Sequence, residues 1–142
     1  MKGFIMTQTW NRDIIHLLQQ KSRYIKKCLD TGLIDHQLYS AQWSILYCLE
    51  QFGSMTQTEI KDYLLVEAPT ITRTIEKLEQ NGWITRTPGK DKRARIISIS
   101  EAGKTDLKSI IEQVGNMEAT LLQHFSTEEK ATLYHLLQKI NQ

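Results

Sequence analysis

Two helix starts thirteen residues apart, followed at once by a change of period, fix the middle of this chain. Thr56-Gln57-Thr58-Glu59 is a capping box, in which the Thr56 hydroxyl and the Glu59 carboxylate each satisfy a backbone donor that the first helical turn leaves orphaned. Met55 and Ile60 occupy the apolar staple positions on either side. The spacing predicts a short helix from there to about Leu65. After Val66-Glu67-Ala68 comes Pro69, which suits the first position of another helix because its missing N–H has no helical partner there anyway. That second helix places Ile71, Ile75 and Leu78 on one side and stops at Asn81-Gly82, a left-handed C-cap signal. From Trp83 the period drops towards two. Trp83 to Thr87 reads as a strand, Pro88-Gly89 opens a turn, and Arg95 to Ser100 reads as a second strand with Ile97 and Ile99 facing one way. A short helix, a tight turn, a helix and a hairpin in that order make a winged helix-turn-helix.

The flanks are helical. Ile14, Leu18, Ile25 and Leu29 recur on one stripe of a helix from about Asn11 to Leu29, which Thr31-Gly32 should end. A second helix after Ser40 should bury Ile45, Leu46, Leu49 and Phe52 before Gly53 stops it. Beyond the hairpin, Ser100 caps a long helix carrying Leu107, Ile110, Val114, Met117 and Leu121 in near-heptad spacing. Ser126-Thr127-Glu128-Glu129 is another capping box, launching a last helix with Leu133, Leu136, Leu137 and Ile140 inward. The fold class is mainly α with a small β-hairpin, and 142 residues fit one domain, 1–142, with a core that needs no staple.

Net charge is only +2, but it is unevenly distributed. Residues 31–67 carry one Lys/Arg against five acids, whereas residues 68–95 carry seven against three. A basic centre in a near-neutral protein is the footprint wanted for a polyanion. With Ile71, Ile75 and Leu78 inward, Thr70, Arg73 and Lys77 share the outward side of their helix, with Thr72 and Glu76 flanking. Hydroxyls can bond phosphates or bases, and Arg can grip guanine in bidentate fashion. On the hairpin tip, Lys90, Lys92, Arg93 and Arg95 surround Asp91. An Asp two residues before an Arg can hold it extended, as a narrow electronegative minor groove requires.

These residues carry a resemblance. In "APTITRTIEKLEQNGWITR" (68–86), Thr70-Ile71-Thr72-Arg73, Leu78-Glu79 and Gly82 are similar to the recognition-helix pattern of the MarR family of bacterial winged-helix regulators. In "DKRARIISISEAGK" (91–104), Asp91-Lys92-Arg93, Ile96 to Ile99 and Gly103 resemble that family's wing and the helix start behind it. The likeness spans about Trp10 to Ile140. It implies a winged helix-turn-helix DNA-binding lobe over about 36–100 and a helical dimerisation region formed by about 8–32 and 101–142. It also implies a homodimer reading double-stranded DNA at a pseudo-palindromic operator, with Arg93 in the minor groove and Asp91 orienting it. Ile14, Leu18, Leu133, Leu136, Leu137 and Ile140 are the expected interface, since a monomer would leave the C-terminal stripe wet. The expected function is transcriptional regulation, as a repressor relieved by an effector. The alternative is a winged-helix protein-interaction module without DNA specificity.

A small-molecule effector pocket, by the same resemblance, falls to Trp10, His16, Tyr39, Trp43 and Tyr47, although aromatics at helical spacing also serve plain cores. Cys28 lies near Lys26 and Lys27, a setting that favours its thiolate. The cysteine of oxidant-sensing relatives sits near the start of the first helix, where this chain has Asn11 to Ile15, and that departure argues against peroxide sensing. Cys48 reads as core packing, and two cysteines inside helical patterns suit a reducing cytoplasm. His16, His36, His124 and His135 lack the spacing of a zinc site, so no metal and no cofactor are expected. No stretch approaches a membrane span, and no phosphate loop, nucleophile elbow or metal-binding His pair points to an enzyme.

Overall fold

The computed structural model describes residues 9–90 and 94–142, so Asp91, Lys92 and Arg93 at the tip of the expected wing lie outside the described residues. The chain forms α1 (Thr9–Leu33), a 3-10 turn (Ile34–His36), α2 (Ser40–Phe52), β1 (Met55–Thr56), α3 (Gln57–Leu64), α4 (Ala68–Gln80), β2 (Ile84–Pro88), β3 (Arg95–Ile99), α5 (Glu101–Leu121) and α6 (Thr127–Gln138). The three strands form one antiparallel sheet in the order β1-β3-β2, with Met55 opposite Ile97 and Ile84 opposite Ile99. Among the described residues, no helix is long and apolar enough to cross a membrane.

The caps act as the sequence requires. Thr56 Oγ1 accepts from the Glu59 N–H at 3.1 Å while Glu59 Oε1 accepts from the Thr56 N–H at 3.1 Å. Ser126 and Glu129 repeat the exchange at the head of α6. Ser100 Oγ accepts from the Gly103 N–H at 2.9 Å and donates to the Gly82 carbonyl at 2.6 Å, which joins the start of α5 to the end of α4. α4 ends where Gly82 takes φ +82°, a left-handed conformation that glycine adopts without strain.

One core runs through both halves of the chain. Leu46, Ile60, Ile75, Leu78, Ile97 and Ile110 are essentially inaccessible to solvent, and Leu33, Leu38, Ile45, Ile71, Ile84 and Leu107 pack with them. Ile71, Ile75 and Leu78 therefore face inward as expected, which fixes the opposite side of α4 as its solvent face.

Several expectations need correction. β1 adds a third strand to the hairpin; two residues overlapping a helix cap carry no readable period. α1 does not end at Thr31-Gly32 but continues to Leu33, because burying Leu33 outweighs the modest cost of one helical glycine. Phe52 is 57% exposed, since α2 ends there and Gly53 turns the chain away; its ring meets Tyr63 edge-on at 5.1 Å. Leu136, Leu137 and Ile140 are 51%, 43% and 50% exposed rather than inward, α6 buries no residue within one chain, and Ile140 lies past its end. Ile14 on α1 is likewise open to solvent, with Leu18 and Leu133 half-buried.

Candidate nucleic-acid interface

The short α3 and the longer α4 are joined by a turn in which Leu65 takes φ +56° and its N–H closes on the Lys61 carbonyl. The two helices are also tied by side chains: Gln57 Nε2 donates to Thr72 Oγ1 at 2.9 Å. Thr72 keeps its own proton for another acceptor, because a hydroxyl can accept and donate at once. Thr70, Arg73 and Lys77 are exposed on the outward side of α4, and Thr72 is half-buried at its flank. The expected grouping of these four side chains on one helix thus holds, with Thr72 held in place from α3.

The wing is anchored beside them. Arg86 of β2 reaches Glu79 of α4 with two parallel bonds, Nε to Oε2 at 3.1 Å and Nη2 to Oε1 at 2.8 Å. This fork holds the Glu79 carboxyl below the usual glutamate range, with a smaller contribution from the field of nearby Arg95. Glu79 itself raises the already high pKa of Arg86. An acid that diluted the basic centre on paper is therefore neutralised locally. Among the described residues of α4 and the wing, Arg73, Lys77, Lys90 and Arg95 are left facing solvent beside the carboxylate of Glu76. The hairpin closes through the Gly89 N–H on the Ala94 carbonyl at 2.8 Å, with Pro88 opposite Arg95. Lys90 and Arg95 are exposed on either side of that closure. Asp91, Lys92 and Arg93, the remainder of the expected contact set, fall outside the described residues.

Sequence reasoning missed Gln57, Arg86 and the tight seat of Gly103. Gln57 and Arg86 act through partners 15 and 7 residues away, and no local pattern encodes such a pair. A Cβ on Gly103 would lie 2.6 Å from the Trp83 carbonyl oxygen, a close approach that only the folded chain reveals.

The five residues expected around an effector do not converge within one chain. Trp43 and Tyr47, with ring centroids 6.2 Å apart, line a cleft of about 160 Å³ between α2 and α5, together with Glu50, Leu107, Ile111 and Glu118. His16 instead borders a separate shallow depression on α1 with Asn11, Arg12 and Ile15, and Tyr39 is exposed at the head of α2. Trp10 is half-buried near the start of α1 and lines neither the cleft nor the depression. The divergence has a simple cause: α1 turns this stripe outward while α2 turns Trp43 onto α5. At Cys28, half-buried on α1, the expected cationic setting is weakened because Lys26 Nζ bonds Asp30 Oδ2 at 3.0 Å. A bond to Cys28 pushes the Tyr24 hydroxyl pKa up.

The comparisons agree with this architecture. The model of the MarR family matches residues 38–94. YwoH of Bacillus subtilis (strain 168), an uncharacterized HTH-type transcriptional regulator, is 44% identical over 126 residues, covering 89% of this chain and 92% of that protein. The multiple antibiotic resistance protein MarR of Escherichia coli (strain K12) is 27% identical over 129 residues, 89% of this chain and 88% of its own length. In fold, a mutant MarR from Escherichia coli complexed with operator DNA matches with a TM-score of 0.83 at 24% identity, over 94% of this chain and 97% of that one. A winged helix-turn-helix with a basic face, and a curated regulator 44% identical along most of its length, lead to one conclusion: the chain belongs to the MarR family of transcriptional regulators.

Proposed function

We propose that the chain acts as a homodimeric repressor in the bacterial cytoplasm, binding a pseudo-palindromic operator in double-stranded DNA and releasing it when a small molecule binds. The observation that carries this reading is the shared exposed face of α4 and the β2–β3 wing. There Arg73 and Lys77 stand beside Lys90 and Arg95, with Glu79 neutralised by Arg86. In this reading Thr70, Thr72 and Arg73 meet base edges in the major groove and Lys77 the adjoining backbone. Lys90, Lys92 and Arg95 attract phosphates, and Arg93, oriented by Asp91, enters the minor groove. The lobe of about 36–100 binds DNA while about 8–32 and 101–142 pair the chains. Support for pairing comes from the wet apolar set: Ile14, Leu136, Leu137 and Ile140 would be covered by a second copy, with Leu18 and Leu133 between them. Two-fold pairing would set the α4 helices about 34–36 Å apart, one helical turn of DNA.

Fluorescence anisotropy on duplex DNA from upstream of its own gene, at two salt concentrations and against a scrambled duplex, tests the reading. Tight, specific binding that weakens with salt and in Arg93→Ala is expected. Equal, feeble binding to every member of a genome-derived duplex pool would instead favour a wing that serves a protein partner.

A further inference from the structure

We propose that the cleft between α2 and α5 selects a compact aromatic cation as the effector, and rejects organic acids. The inference rests on the reading of the chain as a ligand-released repressor and adds the chemistry of the ligand. Its first support is the lining. Trp43 and Tyr47 supply aromatic faces, and Leu107 and Ile111 supply an apolar floor. Glu50 from one wall and Glu118 from the other supply carboxylates, and among the described residues no Lys, Arg or His lines the cleft. Neither carboxylate forms an ion pair or a hydrogen bond with another described residue. Two unneutralised carboxylates beside aromatic rings attract a cation twice over, through charge and through the negative faces of the rings. An anion would meet repulsion from both walls.

The surroundings point the same way. α2 and α3 lie in the stretch 31–67, where five acids face a single Lys. The basic residues of the chain are concentrated on α1 and on the α4–wing face; α5 carries Lys104 and Lys108, and neither lines the cleft. Size sets the upper limit on the ligand. A volume of about 160 Å³ is close to that of an engineered apolar cavity of about 150 Å³ that binds benzene. One ring with a small ammonium group at the mouth is therefore the fitting shape. Trp43, only 9% exposed, forms the inner wall, and the more open Tyr47 stands at the rim.

Isothermal titration calorimetry of the full-length protein with benzyltrimethylammonium, benzyl alcohol and benzoate tests the selection. The cation should saturate one site per chain, with the alcohol weaker and benzoate weakest. Glu50→Gln and Glu118→Gln, both at exposed positions, should each weaken the cation about threefold and together about tenfold, while leaving benzyl alcohol unmoved. Thermal melts of both variants establish that they fold. Bound cation should also loosen the operator complex read by anisotropy. Benzoate binding as tightly as the cation, no cation binding, equal cation binding in the double variant, or an operator complex indifferent to bound cation would each overturn the proposal. The underlying reading is tested separately by the ligand-free protein: normal operator binding there, with no response to the cation, removes only the ligand assignment. Failure of the ligand-free protein to prefer any duplex removes the reading beneath it.

Discussion

Gly103 and Gly115 lie on the same helix, and replacing each by alanine should shift stability in opposite directions. Alanine normally stabilises a helix interior by about 1 kcal/mol relative to glycine, chiefly by lowering the conformational freedom of the unfolded chain. Gly115, in the middle of α5, has nothing within 4 Å of where its Cβ would go, so Gly115→Ala should gain about that much. At Gly103 the same methyl would sit 2.6 Å from the Trp83 carbonyl oxygen, 3.0 Å from Ser100 Oγ and 3.2 Å from Ile99 Cγ2. The carbonyl has little freedom to retreat, because it accepts the Ser100 N–H at 2.9 Å. Ser100 is in turn committed to Gly82 and to the first turn of α5. Overpacking of this kind destabilises by about 1–3 kcal/mol, and in the first helical turn the propensity gain is smaller, so a net loss of about 1–2 kcal/mol is expected. At about 3–4 °C per kcal/mol for a chain of this size, Gly103→Ala should melt about 3–8 °C below wild type and Gly115→Ala about 3–4 °C above it. Calorimetry at one fixed protein concentration reads the difference, since pairing of chains makes the melting point depend on concentration. A Gly103→Ala protein as stable as wild type would refute the close approach of α5 to the base of the wing.

The contact assignments give further expectations. Arg73→Ala should cost about 1–3 kcal/mol of operator affinity and relax preference at one base pair, whereas Lys90→Ala should weaken all duplexes alike and lower the salt slope by about one; anisotropy across a set of single-base operator variants distinguishes the two. The Arg86 fork depresses the folded-state pKa of Glu79, so its stabilisation is present above the unfolded value of about 4.3 and is lost as pH falls through the folded value. Melting curves of wild type and Glu79→Gln should therefore differ at neutral pH and converge in acid; a constant gap would mean the fork is not the cause. Thr56→Ala removes one half of a capping box and should cost about 1 kcal/mol in chemical unfolding, with Ser126→Ala showing a similar loss at α6. Replacing Leu136 and Leu137 together by Glu should shift the species seen by sedimentation from dimer to monomer, and an unchanged sedimentation coefficient would place the interface elsewhere.

Local chemistry was legible in the sequence; long-range pairing was not. Thr56, Ser100 and Ser126 announce helix starts because a cap and its partner lie three residues apart, and Ile71, Ile75 and Leu78 reveal their face because they share one helix. With that face known, the exposed positions of Thr70, Arg73 and Lys77 followed from geometry alone. The Thr72 tether, the Arg86 fork and the seat of Gly103 depend on which elements meet, and no spacing within one element carries that information. Phe52 was misplaced for a related reason. Its periodicity matched Ile45 and Leu49, but periodicity does not say where along a helix the core stops. Within one chain Trp10, His16 and Tyr39 do not line the cleft that Trp43 and Tyr47 share, because spacing along α1 and α2 does not say which faces of the two helices meet.

The attachments of α2 explain how a cleft on its side can be felt at the wing. At its start, Asp30 of α1 accepts the Ser40 N–H at 2.6 Å. Desolvation opposes the charge on Asp30, but the Ser40 N–H and the Lys26 ammonium outweigh it and hold the carboxyl below its usual range. Gln113 of α5 adds a second tie: its Nε2 donates to the Gly32 carbonyl at 2.9 Å, which leaves Oε1 to accept from His36 Nε2 at 2.7 Å. The start of α2 is thus fixed to α1, and the turn leading into it is tied to α5, the helices of the proposed pairing region. Beyond its far end, Ser54 and Ser98 hydroxyls bond at 2.6 Å, and Met55 pairs with Ile97 on the central strand of the sheet. A helix held at one end by α1, through a turn tied to α5, and at the other by the wing acts as a strut. A ligand that parts Trp43 and Tyr47 from Ile111 pushes on the middle of that strut, and any tilt it produces reaches both β3, and with it Arg95, and α4, because α2 packs directly on each. Release by such a ligand should therefore weaken the salt-dependent wing contacts and the base preference on α4 together.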